Sequence, residues 1–248
     1  MLIADSITVG YGSPVFEDVT LTIAPGEIVG LGGESGSGKT TLAATLAGLR
    51  TPDAGRVTVD GVSPRRARGT TAMVFQSPRA ATNPHFTVAQ IIAEPARIHR
   101  RPIDVPALAA SVGLTPDLLD RRPHTLSEGQ LQRACLARAL AQNPRYLLLD
   151  EPTAMLDAAT TAAVIRLVVQ HATTLGVLLI SHDPALLEVA CTRAATLHDG
   201  RLINVERLPS RTSTVDHSEV EVTDNLLEQG IRHRTPMSQI VAKNAERP

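Results

Sequence analysis

The sequence predicts an α/β protein built around a buried, mainly parallel sheet, and three observations support this fold class. Strand-like segments at 146–150 and 177–181, apolar up to their last residue, alternate with segments of helical spacing, which is typical of strands covered on both faces. The first third of the chain contains short β-type runs separated by Gly, Pro and Asp. A glycine-rich segment at 33–40 stands between an apolar strand and a helix-like segment.

These patterns also predict the order of the elements. Strands are expected at residues 3–11, 15–23, 27–31, 55–59 and 71–76. From residue 87 the apolar spacing becomes helical and is interrupted by prolines, beginning with Pro95, so we expect a helical insertion over about residues 80–142. The pattern then predicts a strand at 146–150, a helix at 158–171, a strand at 177–181, a short helix at 184–189 and a hairpin at 199–200. Residues 209–248 are polar, and we expect a partly ordered tail with a weakly amphipathic stretch at 220–231.

Length, charge and cysteine content exclude several classes of protein. The chain has 248 residues, which suits one large domain with a subdomain. Its formal net charge of −1 gives no general electrostatic reason to expect a nucleic-acid partner. Cys135 and Cys191 are too few for a disulfide framework and are not spaced as metal ligands. The sequence shows neither a signal-peptide pattern nor a run of about 18 apolar residues, so we expect a soluble chain that is not exported.

The glycine-rich segment has the spacing Gly33-x4-Gly38-Lys39-Thr40, which predicts a phosphate-binding loop. Glycines let backbone N–H groups turn towards a phosphate, the lysine reaches the β- and γ-phosphates, and the threonine hydroxyl ligates Mg²⁺. The following helix adds the positive end of its dipole. Of the 24 Lys and Arg residues only Lys39 and Lys243 are lysines, so a lysine in this loop is not expected from the composition of the chain. The loop calls for the compact ammonium of lysine, which fits where a guanidinium does not. The residues expected to bind nucleotide in this loop are Gly33, Glu34, Ser35, Gly36, Ser37, Gly38, Lys39, Thr40 and Thr41.

Two further motifs follow along the chain. The segment YLLLDEP at 146–152 ends an apolar strand with two carboxylates. Beside a phosphate loop, this suits Asp150 as a Mg²⁺ ligand through water and Glu151 as the residue that faces the attacking water, whereas alone it indicates an acidic strand end. The segment LSEGQLQR at 126–133 places Ser127 and Gly129 at a helix start, where a hydroxyl, N–H groups and the helix dipole favour an anion. Alone, it indicates an ordinary helix cap.

The sequence LSEGQ, lying between a phosphate loop and LLLDEP, resembles the ATP-binding cassette (ABC) ATPases over roughly residues 1–205. The resemblance implies a P-loop NTPase with an N-terminal antiparallel β subdomain, a RecA-like parallel-sheet core and an inserted helical subdomain, with residues 1–208 forming the ATPase domain. It implies ATP as substrate and Mg²⁺ as cofactor. It also implies that ATP lies between the phosphate loop of one subunit and Ser127, Gly129 and Gln130 of a second subunit.

Family features transfer to four more residues. Tyr11 lies where the family has an aromatic residue that stacks on adenine, although it also reads as a core tyrosine. Gln76 in VFQSP resembles a glutamine that contacts Mg²⁺ and the attacking water. Asp157 resembles a residue at the dimer contact, and His182 in LLISHD resembles a histidine that contacts the γ-phosphate and orients the water. The resemblance thus implies as catalytic residues Glu151, His182 and Gln76, and as Mg²⁺ ligands Thr40, Gln76 and Asp150.

Glu128 departs from the family pattern, which most often has Gly at the third position of LSEGQ. Its carboxylate would stand close to another subunit's γ-phosphate, yet at a helix N-terminus it gains roughly 0.3–1 kcal/mol from the dipole. Two readings stay open. Either the position tolerates Glu, or this half of the site is weakened, as would suit an asymmetric heterodimer.

Residues 75–99 and 121–157 resemble the ATPase subunits of the dipeptide, oligopeptide and nickel importers. This implies a peripheral protein at the cytoplasmic face of the cell membrane, with integral membrane permease subunits, a second ABC ATPase subunit and, indirectly, an extracytoplasmic solute-binding protein as partners. A soluble non-transport ABC-type ATPase of repair, assembly or regulation is the alternative. Repair and packing forms usually split the nucleotide motifs with a long coiled coil, and the sequence has none. Intact Lys39, Glu151 and His182 argue against a regulatory module that does not hydrolyse ATP.

Overall fold

The computed structural model describes residues 1–154 and 156–208. The predicted tail at 209–248, with its amphipathic stretch at 220–231, lies outside the described residues. Within the described part, no helix has the length and apolar character that crossing a membrane requires.

An antiparallel sheet of three strands lies at the start of the chain. It contains β1 (Leu2–Gly10), β2 (Pro14–Ile23) and β4 (Ala54–Val59), in the order β2-β1-β4. In β1, Leu2 lies opposite Ile23 on one side and opposite Val59 on the other. Buried residues alternate along much of β1, because one face of this sheet packs on the core. The predicted antiparallel subdomain is confirmed.

A mostly parallel sheet of six strands forms the centre of the fold. The strands are β3 (Ile28–Gly32), β5 (Thr71–Val74), β6 (Tyr146–Asp150), β7 (Gly176–Ile180), β8 (Arg193–His198) and β9 (Arg201–Arg207). They lie in the order β5-β6-β7-β3-β8-β9. Only β9 is antiparallel, and it returns beside β8 after the hairpin at Asp199 and Gly200. The expected buried parallel sheet is confirmed.

Helices occupy most of the connections between the parallel strands. Helix α1 (Lys39–Leu46) follows β3, α5 (Ala158–His171) joins β6 to β7, and α6 (Pro184–Ala190) joins β7 to β8. The connection from β5 to β6 contains α2 (Val88–Ile98), α3 (Val105–Ser111), two short 3₁₀ turns and α4 (Glu128–Leu140). This helical insertion therefore separates the end of β5 from the start of β6.

Both faces of the large sheet are covered, which explains why its central strands are apolar along most of their length. Leu147 and Leu149 of β6 pack with the helical insertion in one hydrophobic cluster. Their neighbours Tyr146 and Leu148 pack on the other face, with the three-stranded sheet and α1. Since side chains alternate along a strand, a sheet buried on both faces needs apolar residues throughout.

Pro95 does not interrupt the helical pattern as the sequence predicts, because α2 continues through it to Ile98. The helix start is firmly capped: the backbone N–H of Gln90 donates to Thr87 Oγ1 (3.3 Å), and that of Thr87 donates to Gln90 Oε1 (2.9 Å). Pro95 is buried with Ile91 on the same helix. Packing of this face therefore outweighs the local cost of one missing backbone N–H.

Candidate nucleotide-binding site

Several predicted site residues lie at one edge of the large sheet, at the ends of four neighbouring parallel strands. The phosphate loop follows β3, Gln76 follows β5, Asp150 ends β6, and His182 follows β7. Carboxyl ends of parallel strands meet at the same edge, which is where ligands bind in open α/β sheets. A cavity of about 390 Å³ opens there, and its walls are formed by Val15, Ser35, Gly36, Gly38, Lys39, Thr40, Thr41, Gln76, Asp150, Glu151 and His182.

The phosphate loop folds around the Lys39 side chain. Lys39 Nζ donates hydrogen bonds to the carbonyl oxygens of Gly33 (2.9 Å) and Glu34 (2.7 Å). An ammonium carries three N–H bonds, so one remains for a phosphate oxygen. Lys39 is also the first residue of α1, whose first-turn N–H groups have no acceptor within the helix. The loop therefore combines a buried cation with a helix N-terminus, which favours an anionic ligand.

Gly38 shows why this loop suits phosphate groups. Gly38 has φ +104°, and a Cβ there would lie 2.6 Å from Val15 Cγ1, so only glycine fits. Ser37 Oγ is buried and lacks a hydrogen-bond partner. Ser37 does not line the cavity, so the fit to phosphate rests on Gly38, the Lys39 ammonium and the N–H groups at the start of α1. The residues present thus fit the phosphates of a nucleotide.

Thr40 and Asp150 form an oxygen pair beside the phosphate loop, where Thr40 Oγ1 donates to Asp150 Oδ2 (2.8 Å). Burial raises the pKa of the Asp150 carboxyl, and the charge of Glu151 raises it further, whereas the Thr40 hydrogen bond and Lys39 lower it. A hydroxyl and a carboxylate are ligands that suit Mg²⁺. In the described ranges, no three His, Cys, Asp or Glu side chains group into a protein-only metal site.

Glu151 and His182 face each other across the cavity wall. Their Oε2 and Nδ1 atoms lie 2.9 Å apart, with the Glu151 carboxylate mostly buried and the imidazole exposed. Glu151 has φ +49°, an unusual backbone conformation for a residue with a side chain. Such local strain clusters at functional sites, where the surroundings hold it in place. A fixed carboxylate next to a histidine is an arrangement that suits proton transfer from water.

The other predicted nucleotide contacts do not line this cavity. Ser127 caps α4: the backbone N–H of Gln130 donates to Ser127 Oγ (3.2 Å), while that of Ser127 donates to Gln130 Oε1 (2.9 Å). The Ser127 hydroxyl hydrogen is thus not used in the cap. Gly129 lies in the first turn of α4, where a Cβ would meet Thr160 Cγ2 at 2.5 Å.

Asp157 caps α5 and also lies away from the cavity wall. Its Oδ1 accepts from the backbone N–H of Thr160 (2.9 Å), and its Oδ2 accepts from the Thr160 hydroxyl (2.8 Å). These hydrogen bonds lower the pKa of Asp157. The residue is exposed.

Tyr11 lies on the turn between β1 and β2, four residues before the cavity residue Val15. It is 68% exposed, and the Arg50 guanidinium lies over one ring face, 3.9 Å from the ring centre. This cation–π contact leaves the opposite face open. The reading of Tyr11 as a core residue is wrong.

Sequence reasoning missed Val15, Arg50 and Arg79. Val15 lines the cavity because Gly38 packs closely against β2. Arg50 contacts Tyr11 although the two residues are 39 positions apart in the sequence. Arg79 pairs with Glu128, its Nε lying 2.9 Å from Glu128 Oε2. None of these pairs has a local sequence signal, because the partners come from different elements.

A family model described as ABC transporter matches residues 16–154, which is more than half of the chain. The chain belongs to the ABC transporter family. The nickel import ATP-binding protein NikE of Rhodospirillum rubrum is 40% identical over 206 residues, covering 76% of this chain and 74% of that protein. The oligopeptide transport ATP-binding protein OppF of Streptococcus mutans is 35% identical over 206 residues, covering 76% of this chain and 67% of that protein.

Solved cassettes share the fold. The dimeric post-hydrolysis state of the ATP-binding cassette MJ0796, bound to ADP and Pi, has a TM-score of 0.76 at 26% identity, with 85% of this chain and 100% of that chain covered. The cbiO1 protein of Clostridium perfringens, part of the ABC transporter complex cbiONQ, has a TM-score of 0.75 at 25% identity, with 93% and 97% covered. This ABC transporter chain is therefore an ATP-binding ATPase of the importer type, and the predicted family and importer group are confirmed.

Proposed function

We propose that this ATPase powers the import of a small solute, nickel or a peptide, through a separate membrane permease at the cytoplasmic face of the cell membrane. The observation that carries the proposal is the cavity at one sheet edge, where the phosphate loop lies together with Gln76, Glu151 and His182, in a chain similar to import ATP-binding proteins. Residues 1–208 would act as the ATPase domain.

The phosphate loop binds the phosphates of ATP. Lys39, with a free N–H, pairs with the β- and γ-phosphates, and the N–H groups at the start of α1 receive their oxygens. Thr40, Asp150 and Gln76 would hold Mg²⁺, which supplies charge neutralisation on the phosphates when bound. The open face of Tyr11 stacks on adenine.

The carboxylate of Glu151 acts as the general base in hydrolysis. It accepts a proton from the attacking water while its other oxygen stays anchored to His182 Nδ1 at 2.9 Å. His182 and Gln76, both on the cavity wall, hold the water and the γ-phosphate in line. Pre-set positions matter most in phosphoryl transfer, because catalysis there is mainly positioning and charge stabilisation.

A second ABC ATPase subunit completes the site. The cavity leaves Ser127, Gly129 and Gln130 outside its wall, although they form a capped helix start suited to an anion. We place this turn of one subunit over the γ-phosphate bound by the other, with the exposed Asp157 at their contact. ATP binding then closes the dimer, and hydrolysis reopens it.

A groove between the large sheet and the helical insertion is the proposed seat of the permease. It has a volume of about 290 Å³ and exposes three large apolar side chains, Leu49 (64%), Phe75 (39%) and Ile98 (72%). Exposed apolar clusters of this kind mark protein contact sites. Phe75 directly precedes Gln76, so a permease segment seated here touches the neighbour of a cavity residue. That adjacency gives transport a physical link to ATP.

The groove is tested by placing a charge on its most exposed residue. Ile98→Asp should abolish co-purification with the membrane permease subunits, while ATP binding by the isolated chain stays unchanged. Val62→Asp is the matched control, because Val62 is also exposed (43%) and lies outside the groove. Equal permease recovery with both variants would place the contact elsewhere.

The cargo is tested in cells that lack the chain. Uptake of radiolabelled nickel and of a labelled dipeptide is compared after complementation with the parent chain or with Glu151→Gln. Restoration of one uptake by the parent alone, dependent on the solute-binding protein, supports import and names the cargo. Normal uptake of both solutes without the chain, together with purification free of any membrane protein, would instead support a soluble ABC-type ATPase.

A further inference from the structure

Arg79 makes a three-point contact between two motif loops. Its Nε donates to Glu128 Oε2 (2.9 Å), its Nη1 to the carbonyl oxygen of Pro123 (3.0 Å), and its Nη2 to the carbonyl oxygen of Leu126 (3.1 Å). All three guanidinium nitrogens are thus used on the turn that leads into α4. Arg79 itself stands three residues after Gln76.

The segment that contains Arg79 is fixed on the helical insertion by other contacts as well. Arg138 of α4 donates from Nη1 to the carbonyl oxygen of Ala81 (2.6 Å). Within the segment, Thr82 Oγ1 donates to the carbonyl oxygen of Pro78 (2.9 Å), and Pro78 and Thr82 are both buried. The segment after Gln76 is therefore packed against α4, and these contacts hold the backbone of Arg79 in place.

Glu128 places a negative charge in the turn that the proposed function sets against the second subunit's triphosphate. It stands between Ser127 and Gly129, the residues that the proposed function places over the second subunit's triphosphate. A carboxylate in the same turn repels a triphosphate, and the interaction grows as water is excluded on dimer closure. The ion pair with Arg79 compensates this charge and fixes the direction of the side chain.

We propose that Arg79 is a positioning residue for ATP hydrolysis, which neutralises Glu128 and holds its carboxylate away from the triphosphate bound by the second subunit. This inference rests on the proposed function, since it needs the two-subunit site. It also answers the question that Glu128 raises in the sequence: the position tolerates Glu because Arg79 is present. Arginine suits the role better than lysine, because only a planar fork reaches three acceptors in fixed directions.

A four-variant cycle separates this role from simple stabilisation of the turn. The parent chain, Arg79→Gln, Glu128→Gln and the double variant are compared for steady-state ATPase activity. Arg79→Gln should lower kcat/KM at least ~5-fold, within the range that couplings between contacting residues span. Glu128→Gln should equal or exceed the parent, and the double variant should return to within ~2-fold of Glu128→Gln.

The double variant is the control for folding, because it lacks the same hydrogen bonds to Pro123 and Leu126 as Arg79→Gln. Thermal melts of both should be alike, so recovery in the double variant isolates the charge of Glu128. Arg79→Lys should be intermediate, since it retains the charge without the fork. The Arg79→Gln defect should also shrink between about 50 mM and about 500 mM salt, over which the Debye length falls from roughly 14 Å to roughly 4 Å.

Two results overturn the inference: a double variant as impaired as Arg79→Gln, or an Arg79→Gln variant as active as the parent. Failure of the two-subunit hydrolysis on which the inference rests looks different, because the parent chain itself would then show no ATP hydrolysis and no ATP-dependent dimer, whereas a soluble ATPase that hydrolyses ATP without importing a solute would leave the cycle interpretable. An active parent with no coupling in the cycle therefore rejects the role of Arg79 alone.

Discussion

Replacing Tyr11 with leucine removes the aromatic face on which we expect adenine to stack, and the structure sets the size of the effect. Tyr11 is 68% exposed, and Arg50 covers only one ring face. Stacking contributes about 0.5–1.5 kcal/mol beyond burial, which corresponds to a roughly 2- to 13-fold increase in Kd. The contacts of the phosphate loop are unchanged, so ATP binding should be weakened and not lost.

Intrinsic fluorescence provides the assay, because the chain has no Trp and only two Tyr. Tyr146 is fully buried and stands four residues before Asp150, about 13 Å away at about 3.3 Å per strand residue. Only Tyr11 should therefore respond to ATP with a large quench. Tyr11→Leu should abolish the quench.

Tyr11→Phe is the matched control, since it keeps an aromatic face and removes the emission. It should bind ATP like the parent, as measured by calorimetry, and also lack the quench. If Tyr11→Leu binds ATP as tightly as the parent and still shows the quench, adenine lies elsewhere and the reasoning about the turn between β1 and β2 is refuted.

Two other predictions concern ionisable groups. Burial and the hydrogen bond to Asp60 raise the pKa of Tyr146 to about 12, so an absorbance titration of Tyr11→Leu should show a single phenol ionising there. The folded chain then holds this proton longer than the unfolded chain, whose Tyr pKa is about 10, so the free energy of unfolding should fall between about pH 10 and pH 12. Lys39→Arg should weaken ATP binding at least ~10-fold, because a guanidinium does not fit the loop and charged hydrogen bonds contribute about 1.5–3 kcal/mol. ATP binding equal to the parent in a calorimetric titration would reject that role for Lys39.

The sequence predicts the strands and the phosphate loop well because each depends on local information. Residues 146–149 are apolar at every position because both faces of β6 are covered, and the spacing of Gly33, Gly38 and Lys39 reflects backbone needs that a short motif encodes. The edge of the sheet follows from parallel topology once the strands are known.

Contacts between distant segments are what the sequence does not show. The Arg79–Glu128 pair joins positions 49 residues apart, and the Arg50–Tyr11 contact depends on how two loops pack. At Pro95 the local signal is present but wrong. A proline removes a backbone hydrogen bond and so predicts a break in α2, yet burial of this helix face outweighs that loss. Tertiary packing decides each of these cases.

Single-turnover hydrolysis by Glu151→Gln shows whether this cavity hydrolyses ATP with Glu151 as the base. The amide is nearly isosteric and keeps an acceptor for His182, so the fold and ATP affinity should be retained. Loss of general-base assistance should lower turnover by at least ~10²-fold and trap an ATP-bound dimer in sedimentation experiments. Turnover at the parent rate would contradict the account and remove Glu151 from the mechanism.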